Sequence, residues 1–326
     1  MTLLGNTIRA ICRMAWVWLL VMPMVSCNHK DLLNVGDSQQ LDILFDWSGV
    51  PGATPQQMRL VAFKSASQPL VLPFSPQGGT THLTSGSYDF VAYNSESEVL
   101  SASGSTYEDF QIASLPTTLA RFAPMMFASQ RAPRAEGTEE QKVVYCPDEL
   151  WTSVRSLDLF HNVQTITFPM QAATTEYVFV INNVQNLGTV SEITATISGM
   201  SGSWIPSLGR CSDTHCTMPF TVTTDGQSTI TARVRCFGHC PSDDHADHVL
   251  MIYAMLNDQT KWYYQFDITE ALHDTNHHDA GGEGVHPEVP IVLDDLPLPA
   301  PVPAEGMGLT PQVDTWQEVT DRKSVV

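Results

Sequence analysis

The sequence predicts an all-β chain folded as two tandem β-sandwich domains. Three observations carry this reading. Short segments alternate apolar and polar residues with a period of two. Clusters of Gly, Pro, Asn and Ser interrupt those segments at close intervals. No long amphipathic helix follows the first 26 residues. The alternation is clearest where Leu41, Ile43, Phe45 and Trp47 are interleaved with Asp42, Leu44 and Asp46, before Pro51-Gly52 ends the run. Further strands are expected at 58–63, 69–73, 80–83, 87–94 and 107–113. They are separated by Gln77-Gly78-Gly79, Ser85-Gly86 and Asn94-Ser95-Glu96-Ser97. Short strands at this spacing suit a sandwich.

Residues 128–150 change character. Ala128 to Glu140 is small and polar, contains Pro133 and Gly137, and has no periodic apolar face. It reads as a linker between an N-terminal domain at 27–127 and a C-terminal domain at 151–295. The second block has expected strands at 157–168, 176–182, 191–198, 218–224, 229–237, 249–256 and 262–267, with one helical turn at 268–273. From 296 to 326 the chain becomes a tail. Proline recurs at every second position from Pro297 to Pro303, which favours an extended chain and excludes a central strand. Val313, Trp316 and Val319 follow among polar residues. The tail is expected to dock on its own domain or to be disordered, with strand addition to another subunit as the alternative.

The N-terminus has the layout of a secretion signal. Arg9 and Arg13 precede an 11-residue apolar run from Met14 to Met24, too short to span a bilayer but of signal-core length. Val25-Ser26-Cys27 then resembles a bacterial lipobox, with Met24 in place of the usual Leu. Residues 1–26 are thus expected to be removed and Cys27 lipidated (a palmitate-bearing anchor). Two or more acyl chains give stable membrane attachment. Asn28 rather than Asp after Cys27 favours the outer membrane, and Lys30-Asp31 resembles a surface-export tag. Losing Arg9 and Arg13 lowers the 16 basic side chains to 14, against 35 acidic ones. Such a surface repels phosphate backbones, so nucleic acid is excluded as a partner.

Several stretches taken in order resemble a known family. They are Cys27-Asn-His-Lys-Asp-Leu, Leu44-Phe45-Asp46-Trp47, Gly86-Ser-Tyr88-Asp-Phe-Val-Ala-Tyr93-Asn94 and Phe237-Gly-His-Cys240. Lys261-Trp262-Tyr-Tyr264-Gln-Phe-Asp267-Ile-Thr269, Leu293-Asp-Asp-Leu296-Pro-Leu-Pro299 and Val313-Asp314-Thr-Trp316 complete the series. The series is similar to Bacteroidales fimbrillin-like lipoproteins related to FimB-type fimbrial anchor subunits. The resemblance implies two transthyretin-like (immunoglobulin-like) sandwiches and a part in fimbria anchoring or assembly. Fimbrial subunits would then be the partners, and no catalytic residue or cofactor transfers. Only the lipid site, Cys27, carries over.

Cys211, Cys216, Cys236 and Cys240 flank the turn Asp225-Gly226-Gln227-Ser228, a strong hairpin signal. If the strands at 218–224 and 229–237 pair around it, the four thiols gather at the far end. Two chemistries fit. Opposed strand positions are within disulfide reach, and four thiols also suit tetrahedral zinc, at loose spacing. Nested bridges Cys211–Cys240 and Cys216–Cys236 are the expectation, with no metal and no assigned role for Cys146. His273, His277, His278 and His286 in an acidic, Gly-containing stretch, and His245 and His248 near Asp243 and Asp244, are metal ligands by type but read as solvated loops. Trp262 and Tyr264 share a strand face, which suits core packing better than a sugar platform. No Gly-x-Ser-x-Gly or His-Glu-x-x-His occurs, and no enzyme is expected. The alternative to a fimbrial subunit is a surface glycan- or ligand-binding lipoprotein.

Overall fold

The computed structural model describes residues 38–128, 132–160, 163–239, 247–273, 290–300 and 316–318. The first strands are β1 (Ser38–Asp46), β2 (Met58–Phe63), β3 (Leu70–Phe74), β4 (Gly79–Thr84), β5 (Gly86–Asn94), β6 (Leu100–Ser103) and β7 (Gln111–Ser114). Then come β8 (Lys142–Val143), β9 (Trp151–Leu159), β10 (Val163–Pro169) and β11 (Gln171–Ala172). The remainder holds β12 (Thr175–Asn182), β13 (Val190–Ser201), β14 (Ser203–Ile205), β15 (Arg210–Cys211), β16 (His215–Phe220), β17 (Thr223–Thr224) and β18 (Ile230–Cys236). Last are β19 (Val249–Leu256), β20 (Lys261–Asp267), the short helix α1 (Thr269–His273), β21 (Pro290–Asp294) and β22 (Trp316–Glu318). The all-β sandwich class holds.

The first unit has three layers. A three-stranded sheet, β10-β1-β4, faces a five-stranded sheet, β11-β9-β5-β2-β3. The alternating Leu41, Ile43 and Phe45 of β1 turn inward and join Leu60, Phe90 and Phe168 in one core. The opposite face of the five-stranded sheet is buried too. Val61, Phe63, Val91 and Tyr93 pack there against Phe110, Ile112 and Trp204, beneath a four-stranded sheet, β15-β14-β7-β6. Burial on both faces explains why β2 and β5 read as continuous apolar runs rather than alternating ones.

The second unit packs the sheet β17-β18-β12-β21 on the sheet β22-β20-β19-β13-β16-β8. Tyr177, Phe179, Ile197, Val234, Ile252 and Phe266 fill the space between.

The division at residue 150 is not the one the chain follows. β9 pairs with β5, β10 runs parallel to β1, and β14 pairs with β7. Residues 151–172 and 203–211 therefore complete the first unit. The single strand expected at 157–168 is two, β9 and β10, and they lie in different sheets. Alternation shows that a segment is extended; it does not name its partner.

The expected linker is a strap. Met126 and Phe127 just ahead of it, and Ala135 within it, cover the outer face of the six-stranded sheet by packing on Met251, Tyr253 and Met255. Its polar groups are tied down as well. Tyr253 O–H donates to the Pro133 carbonyl at 2.8 Å, and the Met126 N–H donates to the Glu192 carboxylate at 2.6 Å. The Arg134 guanidinium donates to the Gln141 carbonyl at 2.9 Å and to Thr217 Oγ1 at 2.8 Å. Small, polar composition concealed the docking of residues 132–141, which bonds at the Pro133 carbonyl and the Arg134 guanidinium help to hold.

Phe90 is fully buried at the junction of the layers, whereas Leu70 on the edge strand β3 is 45% exposed. Phe90→Ala is expected to lower the unfolding free energy in urea by about 3–5 kcal/mol. Leu70→Ala should stay within about 0.5 kcal/mol of the parent protein.

Candidate functional site at the end and edge of the second unit

The Asp225-Gly226 turn forms as expected. Gly226 takes a left-handed φ of 72°, and the Asp225 carboxylate accepts hydrogen bonds from the N–H groups of Gln227, Ser228 and Thr229. These bonds hold its pKa down at about 2. The hairpin is short, however. Only β17 returns along β18, with Thr223 opposite Thr231. β16 crosses to the other sheet, between β13 and β8.

That crossing removes the ladder expected to set Cys216 opposite Cys236. Cys216 lies opposite Met200 of β13 and Lys142 of β8, while Cys236 lies opposite Thr175 of β12. Both still enter the same core, with Cys146 packed against it, so the third thiol there is the unassigned Cys146 rather than Cys211. Cys211 sits in the core of the first unit and its Sγ is 3.0 Å from the His239 carbonyl. Cys146 and Cys236 carry thiols; Cys240, the expected partner of Cys211, lies outside the described residues. Burial pushes the Cys146 thiol up to about 12. Burial raises Cys236 well above the usual thiol range, and Cys146 and Cys216 beside it add to the shift.

His248 and His273 are not solvated loop residues. His248 has no solvent exposure and sits just before β19. His273 ends α1, which Thr269 anchors by accepting the His248 N–H at 2.9 Å. Their Nε2 atoms are 3.1 Å apart. Burial foremost, and then His273, push the His248 pKa down to about 4, so its ring is neutral at physiological pH. His245, His277, His278 and His286 lie outside the described residues. Flanking polar residues masked this group in the sequence.

The free side of β20 carries the tail. β22 runs parallel to it, with Lys261 opposite Trp316, Trp262 opposite Gln317 and Tyr263 opposite Glu318. Trp316 stacks on Phe127 at 5.5 Å between ring centres and meets Tyr253 edge-on at 5.6 Å. The Lys261 ammonium lies 6.0 Å from the Trp316 ring centre. Upstream, Leu296 and Leu298 are buried in the core of the second unit. Tyr264 O–H, on the inner face of β20, donates to the Pro297 carbonyl at 2.7 Å. The tail thus docks on its own chain. Trp262 and Tyr264 pack toward the core, and Trp204 is buried, so none offers an open sugar platform.

A family model described as a domain of unknown function, DUF5119, matches residues 26–221. The chain belongs to the DUF5119 family. The match spans the first unit and the second as far as β16. Over 324 residues this DUF5119 protein is 22% identical to a Bacteroides ovatus protein named as a candidate fimbrium anchoring subunit, Fim4B. That alignment covers 91% of this chain and 92% of the relative. The crystal structure of a candidate adhesin from Bacteroides ovatus matches with a TM-score of 0.60 at 19% identity, over 85% of this chain and 99% of that one. The fimbrial anchor protein Mfa2 from Porphyromonas gingivalis gives 0.47 at 11% identity, over 74% and 86%. The Bacteroides ovatus structure establishes a shared fold. Among the described residues, no helix is long and apolar enough to cross a membrane. Cys27 lies outside the described residues.

Cys216 and Cys236 are 2% and 0% exposed. A buried thiol is a poor nucleophile, and the raised pKa of Cys236 weakens that one further. Iodoacetamide at pH 8 is therefore expected to leave both unmodified in the folded protein and to alkylate both in denaturant. Peptide mass spectrometry reads this; native-state alkylation at the same rate as in denaturant would contradict it.

Proposed function

We propose that this chain is a non-enzymatic outer-membrane lipoprotein, held by a lipid on Cys27, that anchors or assembles a fimbria by β-strand addition. The observation that carries this reading is β22 on β20. That edge takes a short added strand through backbone hydrogen bonds, and neighbouring side chains receive its Trp316. Strand addition works the same way between chains: the ladder supplies affinity and side-chain pockets supply selectivity. The relative named as a candidate fimbrium anchoring subunit aligns along nearly the whole chain, which supports a fimbrial partner.

Among the described residues, β22 pairs with Lys261 to Tyr263 and no strand pairs with the rest of that β20 edge, which a longer incoming strand would use. An unpaired edge invites such pairing. Displacing the tail would lengthen the site by three residues.

Two experiments test the proposal. Cys27→Ala should move the protein from the membrane to the soluble fraction and release fimbriae into the medium. Separately, Tyr263→Cys with Glu318→Cys places a thiol pair at opposed ladder positions. Oxidation should then lock the tail and lower capture of purified fimbrial subunits at least tenfold, and reduction should restore it. Undiminished capture by the locked form would remove the β20 edge from the proposal. No capture in either form would remove the fimbrial partner.

A further inference from the structure

Three imidazoles meet where β18 ends, β19 begins and α1 stops. The ring centres of His239 and His273 are 4.6 Å apart, those of His248 and His273 5.0 Å, and those of His239 and His248 6.0 Å. The surrounding backbone is shaped to hold the central ring. β13 has a register slip between Ile197 and Met200, an irregularity that strands often place beside functional groups. Within the slip, the Ser198 carbonyl faces His248 Nδ1 at 3.4 Å. Gly199 follows with φ +80°, and a Cβ there would lie 2.8 Å from the same Nδ1. Only glycine leaves space for the ring at that point.

An Nδ1–H directed at a backbone carbonyl fixes the tautomer and leaves Nε2 as a lone-pair donor. In His248 that atom faces His273 Nε2, 3.1 Å away. Two nitrogens so placed share either a proton or a cation. We propose that His248 and His273, with His239 as a third donor, bind a divalent transition-metal ion that favours imidazole, with zinc as the reference case. Two imidazole nitrogens on tetrahedral zinc, each about 2.0–2.1 Å from the ion, stand about 3.3 Å apart, close to the separation seen here. A shared proton would involve His248 and His273 alone, whereas an ion would also draw on His239, whose ring centre lies 4.6 Å from that of His273. In the conformation described, no three His, Cys, Asp or Glu side chains among the described residues already converge as a closed site requires. Two donors are preset, and His239 completes the set by turning its ring. The bound ion would tie together the ends of β18 and α1 and the start of β19, adding to the bond that already joins His248 N–H to Thr269.

The full-length protein, stripped with chelator and titrated with Zn²⁺ alone, tests this by calorimetry. One ion per chain is expected, with a raised Tm. His273→Ala and His239→Ala, both at half-buried positions, should each weaken binding tenfold or more without changing the far-UV circular dichroism. In the unsubstituted protein, Zn²⁺ should also shift the ¹⁵N resonances of the His248 and His273 imidazoles. Absence of binding, binding unchanged in the His239→Ala/His273→Ala double variant, or unshifted imidazole resonances would each overturn the proposal.

Discussion

Phe90 and Val91 leave β5 on opposite sides, and neither touches solvent. A strand buried on both faces must have a layer above and a layer below. The three-stranded sheet containing β1 supplies one, and the sheet of β6, β7, β14 and β15 supplies the other. The first layer recruits β10 from beyond residue 160. The second recruits β14 and β15 from beyond residue 200. The demand for cover on both sides of β5 therefore draws two later parts of the chain back into the first unit. It is the reason that the two units are interlaced rather than strung in a row.

Local chemistry was readable wherever one segment contains its own signal. The apolar run Met58–Phe63 and the run Val249–Leu256 announced strands with their observed bounds, and Asp225-Gly226 announced its turn. What stayed hidden is which strand lies beside which. The 157–168 run reads as one strand because Val163 to Phe168 continues the extended pattern of Leu157 to Leu159. The turn at Gly226 was right, yet the pairing inferred from it failed because β16 leaves for the opposite sheet after only a local signal had been read. Partners far apart in sequence are selected by burial of whole faces, and no window of residues records that.

The site shows the same division. Cys27 and the tail were conspicuous, one through its neighbours and the other through its prolines. The histidine group was not. His248 follows Asp247 and precedes the apolar run of β19, so its surroundings in sequence are half polar, while its surroundings in space are a bulge in β13, a glycine and two other rings. Burying an imidazole with a polar partner on each nitrogen takes contributions from three distant segments. Only their assembly distinguishes it from a loop histidine. The core thiols were likewise half visible: the right residues for two of three, with the third supplied by Cys146 from a stretch that reads as a spacer.

Interlacing has a mechanical meaning. The peptide passes from first unit to second through the strap, returns for β9 to β11, passes over again at β12, comes back for β14 and β15, and leaves once more at β16. Drawing the units apart would therefore load several covalent crossings side by side instead of stretching a single tether. The arrangement resembles a splice more than a hinge: tension entering at either end is divided among strands before any one of them must yield.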